Sequence, residues 1–316
     1  MSAALRDSAA ALTVAVRMRT KLSIITPSFR QLDWLKLAAA SVADQQGVTV
    51  EHIVQDAGTG PELEAWAAKW REAHSSSAAH LAIERHADET GCDFRLFVEK
   101  DAGMYDAINR GLHRATGEIA AYLNCDEQYL PGALAAVGKY FAENPAIDVV
   151  FAHALVIGEQ GRCLCLRKAI LPGKIHTWVS GNLAILTCAT FFRRKAIVER
   201  GLLFNPERCA IGDGEWIMRL IDSGVSMGIL PHITSTFLDH GSNLMLSERG
   251  VREQRQLIAS APRWARTLRP LVLAHYRLRK LLHGAYRHAP FDYSVFLDPA
   301  VRTSFHVAKP SFRWIR

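Results

Sequence analysis

The chain has 316 residues, of which 49% are hydrophobic and 22% charged, so it can bury the core of one large α/β domain or of two smaller domains. This composition excludes disorder over most of the length. The longest uncharged stretch, residues 175–192, is interrupted by histidine, serine, glycine and asparagine, which excludes a bilayer-spanning helix there.

The net charge of +7 is unevenly distributed along the chain. Residues 249–316 carry 14 Lys and Arg against 3 Asp and Glu, whereas the preceding part is mildly acidic. Such an asymmetry is typical of a basic tail with an anionic partner, either nucleic acid or the anionic surface of a membrane.

The first 20 residues contain a short apolar patch, 9–16, followed by two arginines instead of the small-residue cleavage site of a secretory signal. We interpret residues 1–20 as a weakly structured leader on a cytosolic protein. The six cysteines form no CxxC pair and no paired metal-finger spacing, so we expect reduced and mostly buried thiols.

Short β-branched runs alternate with helical patterns over the first 150 residues, which predicts βαβ units and a mainly parallel sheet. The predicted strands are 22–26, 52–55, 95–98 and 119–123, and the predicted helices are 32–46, 62–73, 104–115 and one that ends at 143. Residues 75–91 are polar and poorly patterned, and we interpret them as a loop.

Acidic residues follow three of the predicted strands. Asp56, Asp101 and Asp126 each lie at the carboxyl end of a strand. In open α/β sheets ligands bind at that edge, so the sequence predicts a ligand site there.

Antiparallel elements are predicted after residue 145. They are strands 149–153 and 190–193, a hairpin returning through 162–166, extended chain at 227–237, and helices 195–200 and 213–223. The whole sheet is therefore predicted to be mixed.

A basic amphipathic helix is predicted within the tail. Its apolar positions are Leu271, Ala274, Leu278, Leu281, Leu282 and Ala285, and its basic positions are Arg279, Lys280, His283 and Arg287. Two interpretations stay open: the helix packs on the body with a solvated basic face, or it attaches to a membrane surface.

Six segments together resemble the family 2 glycosyltransferases of the GT-A fold, in particular bacterial enzymes of polysaccharide assembly. The segments are SIITPSF at 23–29, EHIVQDAG at 51–58, EKDAGMYDAINRGLHRATGEIAAYLNCDE at 99–127, ATFFRR at 189–194, GDGEW at 212–216 and HGSN at 240–243. The resemblance implies a Rossmann-like GT-A domain over 21–245, with a mainly parallel mixed sheet flanked by helices, and then a helical basic extension over 246–316.

The resemblance also implies a nucleotide-sugar site at the strand ends. The residues it assigns to this site are Thr26, Pro27, Ser28, Asp56, Asp101, Asn124 and Asp126. The loop after Asp56 departs from the family's usual Gly-Ser-Thr-Asp continuation. Without the resemblance, Pro27-Ser28 is only a turn signal.

The segment Asn124-Cys125-Asp126 is similar to the family's Asp-x-Asp pattern, with Asn124 in place of the first carboxylate. The resemblance implies Mg²⁺ or Mn²⁺ bound by Asp126, Glu127 and His240, which would neutralise the departing diphosphate. The alternative for Asn124 and Asp126 is an ordinary turn after a strand, and for His240 an ordinary loop position.

The segment at 212–216 is similar to the family's Glu-Asp motif, with Gly212 in place of Glu. This similarity implies that Asp213 is the catalytic base that takes the proton of the acceptor hydroxyl, with Glu215 as the second candidate. Both also suit the start of a helix, where the helix dipole favours acids. The dipole predicts an ionised Asp213 with lowered basicity.

The implied reaction is an inverting, metal-dependent transfer of a sugar from a nucleotide-diphosphate donor. Arg263-Trp264 lacks the Gln of the processive Gln-x-x-Arg-Trp signature, which favours transfer of one sugar at a time. The expected partners are a saccharide or lipid-linked saccharide acceptor and the anionic inner face of a membrane, with no nucleic acid. The alternatives are a nucleotidyltransferase-like protein or a nucleic-acid-binding protein that uses the basic tail.

Overall fold

A computed structural model describes residues 20–74, 91–241 and 243–314 of the chain. The predicted leader and the predicted loop at 75–91 fall almost entirely outside the described residues.

Eleven strands are present in the described residues. They are β1 (Lys21–Ser28), β2 (Thr49–Asp56), β3 (Cys92–Val98), β4 (Ile119–Tyr122), β5 (Gln128–Tyr129), β6 (Val149–Ile157), β7 (Cys163–Arg167), β8 (Thr190–Arg193), β9 (Met227–Leu238), β10 (Phe291–Asp298) and β11 (Val301–Val307).

The first nine strands form one sheet in the order β3-β2-β1-β4-β8-β6-β9-β5, with β7 paired to β6. β1 runs parallel to β2 and β4, and β2 runs parallel to β3. β8 is antiparallel to both of its neighbours, whereas β6 and β9 are parallel. The predicted mainly parallel, mixed sheet is confirmed.

Ten α-helices accompany the strands in the described residues. They are α1 (Leu32–Ala43), α2 (Pro61–His74), α3 (Met104–Arg114), α4 (Ala133–Glu143), α5 (Lys174–Ser180), α6 (Arg194–Ile197), α7 (Gly212–Asp222), α8 (Glu248–Ala259), α9 (Arg263–Thr267) and α10 (Arg269–Leu282).

Alternate side chains of the central strand β1 enter different cores, because successive residues of a strand point to opposite faces of the sheet. Ile24 belongs to a core with residues of α1 and α4. Ile25 belongs to a core with residues of α3 and α7. A Cβ on Gly111 of α3 would lie 2.5 Å from Cγ2 of Ile25, so glycine permits the close approach of this helix to β1. Helices therefore cover both faces of the sheet.

The C-terminal extension contains an element that the sequence analysis did not predict. After three helices, β10 and β11 form an antiparallel hairpin. Gln128 of β5 holds it on the body, because its side-chain amide donates to the carbonyl of Phe296 at 2.9 Å and accepts from the N–H of Phe296 at 2.8 Å. The sequence pattern does not predict these strands, because the hairpin packs against residues such as Gln128 that lie far away in the sequence.

The orientation of α10 corrects one of the two interpretations of the tail. The helix forms as predicted, but Arg279 faces the body, donating to the carbonyl of Leu171 at 3.1 Å. Tyr276 is buried and stacks on His176 with ring centroids 5.1 Å apart. The helix therefore packs on the body through polar and aromatic residues, not through its leucines. The predicted basic face is divided: Arg279 and Lys280 are half-buried, whereas His283 and Arg287 are exposed.

No helix in the described ranges is long and apolar enough to cross a membrane. All six cysteines lie in these ranges as free thiols, three of them buried and three half-buried.

Candidate functional site

A cavity of about 1410 Å³ opens at the carboxyl ends of β1 and β4. Because these strands are parallel, the segments that follow them meet at one edge of the sheet. Seven of the predicted site residues line the cavity: Pro27, Ser28, Asp101, Asn124, Asp126, Asp213 and His240. The structure thus brings together residues that are up to 213 positions apart in the sequence.

Two predicted nucleotide-binding residues, Thr26 and Asp56, lie behind the cavity wall and are fully buried. Oγ1 of Thr26 lies 2.9 Å from Nε2 of His52. The carboxylate of Asp56 accepts hydrogen bonds from the backbone N–H groups of Gly58 and Thr59 at 2.8 and 2.7 Å, and from the Thr59 hydroxyl at 2.5 Å. Both side chains therefore hold the strand ends and their loop in place.

Asp101 lies on the cavity just before α3. One of its carboxylate oxygens accepts a hydrogen bond from the N–H of Gly103 at 2.9 Å. Burial raises the pKa of Asp101, and the nearby Asp106 carboxylate acts in the same direction. Asp101 therefore lies on the cavity wall, and its contact with a nucleotide sugar stays a prediction.

Asp126 and His240 form a close pair on the cavity wall. Oδ2 of Asp126 lies 3.5 Å from Nε2 of His240, and the two side chains are 18% and 21% exposed. Burial raises the pKa of Asp126, while His240 opposes this shift. Next to them, Oδ1 of Asn124 is buried without a hydrogen-bond partner among the described residues.

This pair fits a divalent metal ion only in part. Among the residues that the structure describes, no group of three or more His, Cys, Asp and Glu is placed to hold a metal. Asp126 and His240 supply two ligands, and Mg²⁺ is commonly bound by one or two carboxylates together with water and substrate phosphates. The residues therefore fit an ion whose coordination a bound diphosphate would complete.

The structure does not bring Glu127 to the metal-binding position predicted for it. Its side chain is 1% exposed and lies behind the wall, where Oε2 accepts a hydrogen bond from the N–H of Asn124 at 2.8 Å. Burial raises the pKa of Glu127, and the charge of Asp126 adds to the effect. The carboxyl group closes the turn after β4 instead of facing the cavity.

Asp213 lies at the start of α7 with its carboxyl group at the cavity. Its N–H donates to the hydroxyl of Tyr105 at 3.1 Å, and Oδ1 accepts from the N–H of Gly214 at 2.8 Å. Burial raises the pKa of Asp213 to about 6. The predicted lowering of its basicity is wrong, because desolvation outweighs the stabilisation by nearby N–H groups.

The substitution of Gly212 for the expected Glu has a steric explanation. A Cβ at this position would lie 2.5 Å from the ring of Tyr105. Tyr105 is itself buried and stacks on Phe204 with ring centroids 5.6 Å apart. The aromatic ring therefore occupies the space that a side chain at position 212 would need.

Glu215 lies away from the main cavity. It accepts hydrogen bonds from Arg208 at 2.5 Å and from Asn205 at 3.3 Å, and it lines a separate cavity of about 290 Å³. Residues two apart on a helix do not face each other, so Asp213 and Glu215 point in different directions. The structure does not support Glu215 as a second base.

The C-terminal extension supplies cavity residues that the sequence analysis missed. They include Leu273, Tyr276, Arg277, Lys280, Tyr286 and Trp314, and Arg167 of β7 also lies on the wall. The sequence shows that the tail is basic, but no local signal assigns its residues to the same site as Asp126.

A family model described as Glycosyl transferase family 2 matches residues 23–201, which is more than half of the chain. The chain belongs to glycosyl transferase family 2. This membership makes it a glycosyltransferase and not the nucleotidyltransferase that the sequence left as an alternative. An uncharacterized glycosyltransferase of Mycobacterium tuberculosis (strain H37Rv) is 30% identical over 205 residues, which cover 63% of this chain and 68% of the relative.

Solved glycosyltransferase structures share the fold. S. aureus TarS 1-349 in complex with UDP-GlcNAc is 14% identical with a TM-score of 0.53, over 83% of this chain and 73% of that chain. A mannosyltransferase from Pyrobaculum calidifontis in complex with GDP-Man and Mn²⁺ is 14% identical with a TM-score of 0.50, over 85% of this chain and 79% of that chain. The predicted GT-A fold of this family 2 glycosyltransferase is confirmed.

Replacement of Glu127 tests its assignment as a turn residue. Glu127→Gln keeps an acceptor for the N–H of Asn124 without a charge, so we expect an unchanged or higher free energy of unfolding at pH 7. Glu127→Ala leaves that N–H without its acceptor and should cost about 1–3 kcal/mol. Urea denaturation measures both values, with the exposed Glu143→Gln as the control.

The raised pKa of Glu127 predicts how the stability of the protein depends on pH. The folded protein holds this proton more tightly than the unfolded chain, so wild-type stability falls as the pH rises between the unfolded and folded pKa values, 4.5 and about 8. The stability of Glu127→Gln relative to wild type should therefore increase over this range. A relative stability that is independent of pH would contradict the assignment.

Proposed function

We propose that the protein transfers one sugar per reaction from a nucleotide-diphosphate donor to an acceptor hydroxyl, with inversion at the anomeric carbon. The observation that carries this proposal is that Asp213, Asp126 and His240 face one cavity at the carboxyl edge of the sheet. A single in-line displacement requires a base for the acceptor hydroxyl and groups that bind the donor diphosphate in the same cavity. The Asp213 carboxylate would be the base, and Asp126 and His240 would bind the diphosphate.

Asp213 acts as the base that accepts the proton of the acceptor hydroxyl. With a pKa of about 6, its carboxylate is mostly ionised at neutral pH and more basic than an ordinary aspartate. The hydrogen bond from Gly214 to Oδ1 fixes the orientation of the carboxylate. The second oxygen is then available to the substrate.

Asp126 and His240 would hold Mg²⁺ or Mn²⁺ together with the donor diphosphate. A bound divalent ion supplies positive charge that stabilises the departing nucleoside diphosphate. Asn124, whose Oδ1 has no partner in the described part of the chain, would orient the donor beside this pair.

Transfer of a single sugar is supported by the position of Arg263-Trp264. Trp264 is 57% exposed on α9 and is not among the residues that line the cavity. It therefore has no contact with the space in which a growing polymer would be held.

We further propose that the acceptor is lipid-linked and that the protein attaches to an anionic membrane surface. The support is an exposed leucine face on α10, formed by Leu271, Leu278, Leu281 and Leu282, which are 66%, 51%, 56% and 74% exposed. Residues 263–287 contain seven Lys and Arg and no Asp or Glu. Exposed leucines flanked by cations are suited to a bilayer interface with anionic headgroups.

Both the hydrophobic transfer of the leucines and the attraction of the cations to anionic headgroups favour attachment to a membrane. Moving a leucine side chain from water into an apolar phase contributes about 1.5–3 kcal/mol, and each Lys or Arg close to an anionic surface contributes about 1 kcal/mol. Tyr276, Lys280 and Leu273 on the same helix line the cavity. A membrane at the leucine face would thus lie next to the cavity that receives the acceptor.

Calorimetric titration with UDP, GDP and dTDP, each with and without Mn²⁺, tests the donor site. We expect one diphosphate to bind in a metal-dependent manner, and Asp126→Ala to weaken this binding by at least about tenfold, since it removes a charged ligand. Asp33→Ala, at an exposed surface position, is the control. Equal binding by Asp126→Ala and wild type would refute the assigned role.

Asp213→Asn should lower kcat by about 10²–10⁴-fold and leave the affinity for the donor nucleotide unchanged, because it removes only the proton acceptor. The activity of the wild type should fall as the pH drops below about 6, since the base must be deprotonated. Steady-state kinetics measure the loss of kcat and the pH dependence of activity. The pH range, about 5 to 8, brackets the pKa of about 6. Asp222→Asn at the far end of α7 is the control, and full turnover by Asp213→Asn would exclude it as the base.

Sedimentation with lipid vesicles tests the leucine face. We expect the wild type to bind phosphatidylglycerol vesicles more strongly than phosphatidylcholine vesicles, and the double variant Leu278→Glu, Leu282→Glu to lose this binding. Leu164→Glu, at an exposed strand position, controls for the added charge. Absence of wild-type binding would contradict the proposal, as would a concentration-dependent dimer that the double variant abolishes.

A further inference from the structure

Three cationic side chains lie on the wall of the main cavity, apart from the predicted site residues. Arg167 is the last residue of β7, and Arg277 and Lys280 belong to α10. Arg277 and Lys280 are three residues apart, so they lie on the same side of the helix. Elements distant in the sequence thus direct three positive charges to one cavity.

These cations have no carboxylate partner. In residues 20–74, 91–241 and 243–314, none of the three forms an ion pair or a side-chain hydrogen bond. By contrast, Arg279 on the same helix is engaged with the body. The Lys280 ammonium lies over an aromatic ring, with Nζ 4.3 Å from the centroid of Tyr276.

The arrangement is electrostatically unfavourable without an anion. Lys280 is half-buried, and its pKa is lowered to about 8, first by burial and then by the charge of Arg167. The two cations therefore act on each other inside the cavity wall. A bound anion would relieve both the desolvation and the repulsion.

The cavity has room for more than a donor. Pockets for a single small ligand typically measure about 300–1,000 Å³, whereas this cavity measures about 1410 Å³. Its acidic residues, Asp101, Asp126 and Asp213, come from the strand edge and the start of α7. The cations on β7 and α10 are separate from these positions in the fold.

We propose that Arg167, Arg277 and Lys280 form a subsite that binds a phosphate group of the acceptor. Guanidinium and ammonium groups are the side chains best suited to phosphate oxygens. Leu273 and Tyr276 lie beside them on the wall and can contact an apolar chain attached to the phosphate. This subsite rests on the proposed function in one respect, because it requires that the acceptor enters the same cavity as the donor.

Geranyl phosphate is a suitable probe, since it joins a phosphate to a short apolar chain, and geraniol is its matched control without the phosphate. Calorimetry would be done with the 316-residue chain in the presence of Mn²⁺ and a saturating concentration of the nucleoside diphosphate that binds. We expect geranyl phosphate to bind and geraniol to bind at least about tenfold more weakly.

The variants Arg277→Met and Lys280→Met remove a charge while keeping an apolar stem. Each should weaken the binding of geranyl phosphate by about tenfold and leave the affinity for the nucleoside diphosphate unchanged. Arg269→Met, at an exposed position on the same helix, is the control and should change neither affinity. Thermal unfolding of each variant verifies that it folds.

The outcomes separate this proposal from the donor site. If both variants weaken the binding of the nucleoside diphosphate as much as the binding of geranyl phosphate, the cations bind the donor, and the acceptor subsite is refuted. If geranyl phosphate and geraniol bind equally, or if neither binds, the subsite is also refuted. If no nucleoside diphosphate binds while geranyl phosphate binds and depends on Lys280, the subsite stands and the proposed donor site fails.

Discussion

The parallel pairing of β1 with β2 and β4 is the constraint on which the site depends. Ser28 pairs with Asp56, and Ile25 pairs with Tyr122, so these strands end at the same edge of the sheet. A polar segment follows each of these strands, and the segments meet at this edge of the sheet. Helices cover both faces of the sheet, and the cavity lies at the carboxyl edge, where ligands bind in open α/β sheets.

Burial and local hydrogen bonds together give the carboxyl groups at this edge different chemistry. Asp56 is held by three hydrogen bonds within its own loop and serves the backbone. Glu127 is enclosed behind the wall, where burial favours its neutral form. Asp213 lies at the cavity with a pKa raised to about 6, which suits a base. The same functional group thus supports a loop, closes a turn or faces the cavity, according to its burial and to the hydrogen-bond donors around it.

The C-terminal extension completes the cavity that the family 2 region begins. Tyr276 and Lys280 reach the cavity from α10, while the leucine face of the same helix is exposed on the other side. The matched family range ends at residue 201, so this part of the cavity lies outside it. The extension therefore contributes a part of the cavity wall that the family match does not cover.

The sequence by itself determined the alternation of strands and helices, the mixed parallel sheet, and the motifs that contain Asp101, Asp126 and Asp213, because these follow from local periodicity and from short segments with family-specific order. It did not determine that Glu127 turns inward or that Glu215 pairs with Arg208. Only the tertiary structure decided these orientations, the hairpin of the extension and the outward leucine face of α10. A hydropathy pattern shows which face of a helix is apolar, but which surface it meets depends on contacts between residues far apart in the chain.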